Sequence, residues 1–221
     1  MNKINLGSPQ AIGLVHYYPL NEQGGSIAFD GIGNLNGVLT NGAYFTNGAC
    51  NFDGVDDYIE TNYIPPSSTS FTMCGWGKSI ANGIRNRVMG NSSSTTGLNG
   101  ADIIWGYDAA TRIYGVRRVG VNNGTTDLNY TGSSTSNLSS GWHFVAHTYD
   151  VVTGSALYWD GIQILTNSNL GFTSTLPFRI GRVGNGVDHF NGQIKDVRWY
   201  NRALSPTEVM DLYVNPNKLL K

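Results

Sequence analysis

The 221-residue chain is predicted to be all-β, a two-sheet antiparallel sandwich with one short C-terminal helix. Three observations predict it. Short stretches of strand character recur at near-regular spacing, separated by Gly- and Asn-rich turns. Glycine is abundant (29 residues) and aromatics reach 11%, while charged residues make up only 13%, about half the usual share. Asn, Ser and Thr then supply the polar surface. A helix-start signal occurs once, near the C-terminus. The length suits one large β domain with a full core.

The elements follow in order. Residues 1–11 read as a flexible lead or docking arm, 12–215 as the sandwich and 216–221 as a tail. The first strand is 13–20, followed by a Gly/Asn-rich loop at 30–37. Strands at 38–45 and 50–59 are joined by Asn47-Gly48, a strong hairpin signal. Tyr63-Ile64-Pro65-Pro66 must leave the sheet, because proline cannot donate to a ladder. Strands follow at 71–76, 87–91, 102–107, 112–119 and 142–150. Those at 156–159 and 163–166 form a hairpin around Asp160-Gly161, and 178–182 and 192–200 complete the set. In the last strand Gln193, Lys195, Val197 and Trp199 alternate with Ile194, Asp196, Arg198 and Tyr200, the period of a regular strand. Ser205-Pro206-Thr207-Glu208 then spells an N-cap, a first-turn proline and a capping-box glutamate. It opens a helix at 206–213 with Val209 and Leu212 on its apolar side. The loops 91–101 and 120–141, rich in Asn, Gly, Ser and Thr, are where binding residues carried by a rigid scaffold are expected.

The stretch from Phe190 through Val209 resembles the last element of laminin-G-like domains, members of the concanavalin A-like lectin/glucanase superfamily. Asn51-Phe52-Asp53-Gly54-Val55-Asp56-Asp57-Tyr58-Ile59-Glu60 is similar to the family's early strand, and Ser70 to Trp76 to the next. Gly141 to Asp150 and Leu157 to Gly161 resemble the central hairpin, and Phe178 to Arg182 the penultimate strand. The resemblance covers roughly residues 12–214, weakly at 80–140. It implies a concanavalin A-like jelly-roll sandwich in which 13–20 and 192–200 run side by side. That fold carries sugar binding, protein binding, hydrolysis and structural roles, so function must be argued from the site.

Hydrolysis is not expected. A retaining glycosidase needs two carboxylates about 5–5.5 Å apart, and the family's enzymes use Glu-x-Asp-x-x-Glu. The chain has three glutamates, Glu22, Glu60 and Glu208, in unrelated segments. The acidic run Asp53, Asp56, Asp57 and Glu60 reads as a turn and strand with solvated carboxylates. His143 and His147 lie about 13 Å apart on a strand at 3.3 Å per residue, too far to share a metal. They are expected on one sheet face, opposite the core aromatics Trp142 and Phe144. Cys50 and Cys74 read as buried free thiols, a disulfide being open only if their Cα atoms lie within about 7 Å. The four sequons at Asn91, Asn123, Asn129 and Asn137 match chance for this composition.

The resemblance implies a structural Ca²⁺ held by Asp30, Asn34 and Asn36 of the Asp30–Gly37 loop together with Asp196. An Asx-type turn, with Asp30 bonding its own backbone, is the alternative. Lys195 stands where the family often has a second acid, which lowers local negative charge. For sugar binding, aromatic faces and planar polar groups are needed. Trp105, Tyr107, Arg112 and Tyr114 are the candidates, Trp105 and Tyr107 sharing one strand face.

A net charge of −1 offers no footprint for nucleic acid or anionic membrane. The apolar stretch at 11–15 is too short for a signal peptide or a membrane span. The expected function is a non-catalytic lectin-like module that binds carbohydrate at a virion surface or outside the cell. A purely structural decoration or fibre-associated virion protein is the alternative, and a glycoside hydrolase a distant third. Partners are then a glycan or another virion or cell-surface protein. A homo-oligomer stays open, since no coiled-coil heptad is present.

Overall fold

The computed structural model describes residues 4–80, 85–91, 100–106, 141–168, 175–182 and 189–220, with the side chains of 85, 86, 104–106 and 167 excepted. The strand expected at 112–119 lies outside these residues. In chain order the strands are β1 (Leu14–Tyr18), β2 (Ile27–Ala28), β3 (Gly37–Thr40), β4 (Tyr44–Thr46), β5 (Ala49–Asp53) and β6 (Tyr58–Glu60). Then come β7 (Phe71–Ser79), β8 (Arg85–Gly90), β9 (Asp102–Gly106), β10 (His143–Asp150), β11 (Gly154–Trp159) and β12 (Ile162–Asn167). β13 (Arg179–Ile180), β14 (Asn191–Tyr200) and the helix α1 (Pro206–Val214) close the chain.

Two antiparallel sheets form. The larger has eight strands in the order β12-β11-β10-β7-β14-β5-β4, with β1 also on β14; the smaller has six, β2-β3-β6-β13-β8-β9. β14 is the organising strand. One edge pairs with β7. The other is shared, its first half with β5 and its second half with β1. The expected pairing of 13–20 with 192–200 is therefore present.

Two single strands of the sequence reading are each a pair in the structure. The segment 38–45 divides at Asn41 and Gly42, both with positive φ, and the chain passes from the smaller sheet to the larger. The segment 50–59 divides at the turn after Asp53 and passes back. Alternation continues through the first crossing, from Leu39 to Ala43 and Phe45, whereas at the second the buried positions slip from Cys50 and Phe52 to Asp57 and Ile59. The hairpin at Asn47-Gly48 forms as expected, with φ of 51° and 75°, the values a type I′ turn requires.

The main core lies between the sheets and is rich in aromatics. Trp199 is stacked on Phe71 at 5.0 Å and meets Phe178 and Tyr63 edge-on. A second core covers the outer face of the larger sheet, where Val209 and Leu212 of α1 pack with Tyr17, Cys74, Phe144 and Tyr200. A nine-residue helix is too short to persist alone in water. It stands on this packing and on a complete Ser205–Glu208 capping box. Cys50 belongs to the first core and Cys74 to the second, and both thiols are free.

Residues 4–11, expected as a flexible lead or docking arm, are packed against the C-terminal segment. Ile4 bridges Leu220, and the Asn5 amide donates to the Leu219 carbonyl at 2.7 Å. The Gln10 side chain donates to Asp211 and accepts from Arg198. The expected tail is equally engaged: Arg198 donates to the Pro216 carbonyl at 2.7 Å and Leu219 is fully buried. Polar groups facing each other across 188 or more residues of sequence leave no local signal of this closure.

Candidate functional site

A bulge in β14 builds the site. Ile194 points into the main core, but so do Val197 and Trp199, so the inward phase slips from even to odd positions. The slip falls at Asp196, whose φ is 54°, and the ladder to β7 shifts register between Lys195 and Arg198. The regular alternation expected from the sequence is thus broken, as a β-bulge does when it re-aims side chains. The consequence is that Lys195 and Asp196, consecutive in sequence, line one groove on the outer face.

That groove has a volume of about 290 Å³, near the lower end of ligand pockets at roughly 300–1,000 Å³. Trp76, Trp142, Lys195, Asp196, Asn21 and Asn217 are among its walls. Trp142, expected in the core, is half-buried there, because it precedes β10 and the strand's buried run begins at Phe144. Lys195 Nζ lies 4.3 Å from the centre of the Trp142 ring, a cation–π contact. Trp76 stacks on Tyr213 at 5.6 Å, and its indole N–H is buried with no acceptor among the described residues. Asp196 holds Arg198 through both oxygens, at 3.0 and 2.9 Å. Burial pushes the Asp196 carboxyl up, against the downward pull of that guanidinium.

A second recess, of about 300 Å³, lies between α1 and the N-terminal segment. Its polar groups are already matched to one another: Arg202 with Glu208 at 2.7 Å, Lys218 with Asp211 at 3.0 Å, and Gln10 with Asp211 at 3.0 Å. Matched groups gain little by exchanging partners for a ligand. The β14 groove, with a cation on an indole and two exposed amides, is the better candidate.

The residues expected to hold a metal form a closed turn. Asp30 Oδ2 pairs with His16 Nδ1 at 2.7 Å and accepts from the Leu35 amide, while Oδ1 accepts from the Tyr17 and Ile32 amides. Burial pushes this carboxyl up, but the bonds from His16 and the backbone outweigh it and hold it below its ordinary value. Asn36 Oδ1 accepts from the Asp30 amide, and Asn34 takes the left-handed conformation of a turn. Gly33 passes so close to His16 and the Val15 carbonyl that a Cβ would collide with both. Asp30 binds the Tyr17 amide, whereas Asp196 binds the Tyr17 hydroxyl and Arg198. Calcium needs six to eight oxygen ligands; these carboxylate oxygens already face nitrogen donors, so the donor set as folded does not fit the ion.

The close carboxylate group among the described residues is Asp53, Asp56 and Asp57, within 4.8 Å of one another. It is a turn: Asp53 Oδ1 accepts from the Val55 amide and Asp57 Oδ2 from the Asp53 amide. The run was expected to be solvated, yet Asp57 is buried and burial pushes its carboxyl up. Glu60 pairs with Arg179 at 2.6 Å. Of the histidines, His143 is on Asp160 at 2.7 Å, and His147 is in the main core against Phe71 with Nε2 on Ser155.

The expected sugar platform is not tested by this geometry. The Trp105 backbone lies in β9 opposite Asn86, while Tyr107, Arg112 and Tyr114 lie outside the described residues. The sequence reading passed over Trp76, Trp142 and Lys195. One signal was present: Lys195 in a place where an acid was expected.

A laminin-G-type family model, described as the concanavalin A-like lectin/glucanases superfamily, matches residues 53–210. The chain belongs to that superfamily. The jelly-roll expectation agrees with the match and with the two sheets. Solved structures similar to this lectin/glucanase-superfamily chain include Trypanosoma rangeli sialidase in complex with sialic acid, at 16% identity and a TM-score of 0.65. That match covers 95% of this chain and 34% of the sialidase, so the chain spans about a third of it. Domain 4 of AbnA, a GH43 extracellular arabinanase from Geobacillus stearothermophilus in complex with arabinotriose, matches at 17% identity and a TM-score of 0.67. It covers 90% of this chain and 98% of that domain. The binding domain of Paraclostridial Mosquitocidal Protein 1 matches at 18% identity and a TM-score of 0.69, covering 92% and 52%. At these identities the likeness shows the fold alone. A search among curated proteins finds no match. Among the described residues, no helix is long and apolar enough to cross a membrane.

Proposed function

We propose that the chain is a non-catalytic carbohydrate-binding module, exposed on a virion or elsewhere outside the cell. The observation that carries the binding is the β14 groove. There the indoles of Trp76 and Trp142, the Lys195 ammonium and the exposed Asn21 and Asn217 amides line one small recess. Sugars present both an apolar ring face and a rim of hydroxyls, and this mixture of aromatic and planar polar groups answers both. Likeness to an arabinanase domain that holds arabinotriose supports the same ligand class. The non-catalytic part rests on the carboxylates. The groove holds one, Asp196, tied to Arg198. In the close trio at Asp53, one oxygen each of Asp53 and Asp57 is engaged by a backbone amide, and the trio lines neither recess.

A glycan array followed by calorimetry tests this. Binding to one saccharide class is expected, weakened at least about tenfold, or about 1.4 kcal/mol, by Trp142→Ala, with no cleavage of the bound glycan. Silence across the array would overturn carbohydrate binding, and release of reducing ends would overturn the non-catalytic assignment.

A further inference from the structure

We infer that the groove selects anionic saccharides, sugars bearing a carboxylate or sulfate, and that Lys195 is the selecting residue. This rests on the carbohydrate reading of the same groove. The starting point is the pairing of cations. Arg87, Arg179, Arg198, Arg202 and Lys218 each hold a carboxylate at 2.6–3.0 Å. Lys195 sits instead on an indole, with no carboxylate bonded to it among the described residues. A ring face attracts a cation more weakly than a carboxylate does, and it leaves the ammonium's N–H donors unused.

The neighbouring carboxylate acts on Lys195 through space but is not bonded to it. Asp196 spends both oxygens on Arg198. The groove walls carry Lys195 and Asp196, and with Arg198, bonded to Asp196, these three described residues bear one net positive charge. The bulge matters here. On a regular strand Asp196 and Lys195 would face opposite sides. With both on one side, Asp196 fixes Arg198 behind the groove while Lys195 stands at its mouth on Trp142. An anionic oxygen would meet the ammonium, with the exposed Asn21 and Asn217 amides alongside, and its ring would lie against the aromatic wall. Charge-assisted bonds of this kind are roughly twice as strong as neutral ones. A neutral sugar takes the same seat without that gain.

The test uses the full chain and matched ligand pairs in calorimetry: galactose with galacturonate, glucose with glucuronate, and galactose with galactose 6-sulfate. The acidic member is expected to bind at least about tenfold tighter, or about 1.4 kcal/mol. The preference is expected to shrink in 0.5 M salt, since exposed charges are screened there. Lys195→Gln is expected to bring the affinity ratio within each pair close to one, whatever it does to the neutral sugar itself, and Lys195→Arg is expected to keep the ratio. Lys195 is half-exposed, so both variants are expected to melt near wild type. A preference for the uronates alone identifies a carboxylate ligand, and for the 6-sulfate alone a sulfate; both support the proposal. Equal affinity within each pair, with Trp142→Ala still destroying binding, overturns it and leaves the carbohydrate reading standing. No binding by any sugar overturns both.

Discussion

Lys195 and Asp196 are adjacent in β14 and face the same way, into the groove on the outer side of the larger sheet. The left-handed φ of 54° at Asp196 makes this so. Asn and Asp tolerate that region better than other non-glycine residues. Ile194 before it and Val197 after it both reach the main core, so the bulge keeps the interior intact while it changes the exterior.

Asp196→Ala is expected to destabilise the fold by about 3–5 kcal/mol, the usual cost of stranding one partner of a buried ion pair. Arg198 is almost fully buried and would keep Gln10, the Pro216 carbonyl and the Tyr17 ring but no anion. The double variant Asp196→Ala/Arg198→Met is expected to recover part of that loss. Urea denaturation measures both. A single-variant cost below about 1 kcal/mol would show that the guanidinium is satisfied without its carboxylate.

The Asp30 turn is expected to be self-sufficient. A chelator should leave the melting midpoint where it was, and millimolar Ca²⁺ should not raise it. Asp30→Ala, by contrast, strands the amides of Tyr17, Ile32 and Leu35 beside His16. At about 1–3 kcal/mol per unsatisfied buried group, a loss of at least about 2 kcal/mol is expected. A midpoint that climbs with added calcium would mean that the turn opens to receive the ion.

Acid should weaken the fold below about pH 4.5. Hydrogen bonds from Arg202 hold Glu208 down to about 2, from an ordinary value of 4.5. Asp30 and Asp211 are also held low. A carboxylate depressed in the folded state binds its proton more readily when unfolded. Its contribution is complete above the unfolded value and disappears as pH falls toward the folded one. Glu208→Gln should flatten part of the slope of midpoint against pH between 5 and 2. The effect is small, because its side chain is 42% exposed and solvent screens the pair. An unchanged slope would remove Glu208 from the acid response.

Both thiols should be silent to Ellman's reagent in the native state and titrate fully in guanidinium. Cys50 and Cys74 are completely buried, and burial pushes Cys74 up to about 12 and Cys50 higher still. The thiolate is the reactive form. Slow native labelling of Cys74 alone would reveal opening of the helix side of the larger sheet.

Strand identity was legible wherever a hydrophobic run ended in turn chemistry, as at Asn47-Gly48, Asp160-Gly161 and Ser205-Pro206. Crossings between sheets were not: 38–45 keeps its alternation while changing partners, and in 50–59 the change of phase falls inside the short turn after Asp53. The bulge was half legible: Ile194, Val197 and Trp199 cannot share one face of a regular strand. The groove was hidden for a different reason. Trp76, Trp142, Lys195 and Asn217 come from four distant segments, and nothing in local spacing says that they meet.

The bridge between Ile4 and Leu220 brings the two ends of the polypeptide to one spot, and Leu220 itself borders the groove. A tether attached beyond Leu220 would therefore start beside the groove proposed to bind sugar. Capture through a terminal tag would blind a biosensor to weak ligands, whereas anchoring through the exposed Val151–Val152 turn would leave the entrance clear.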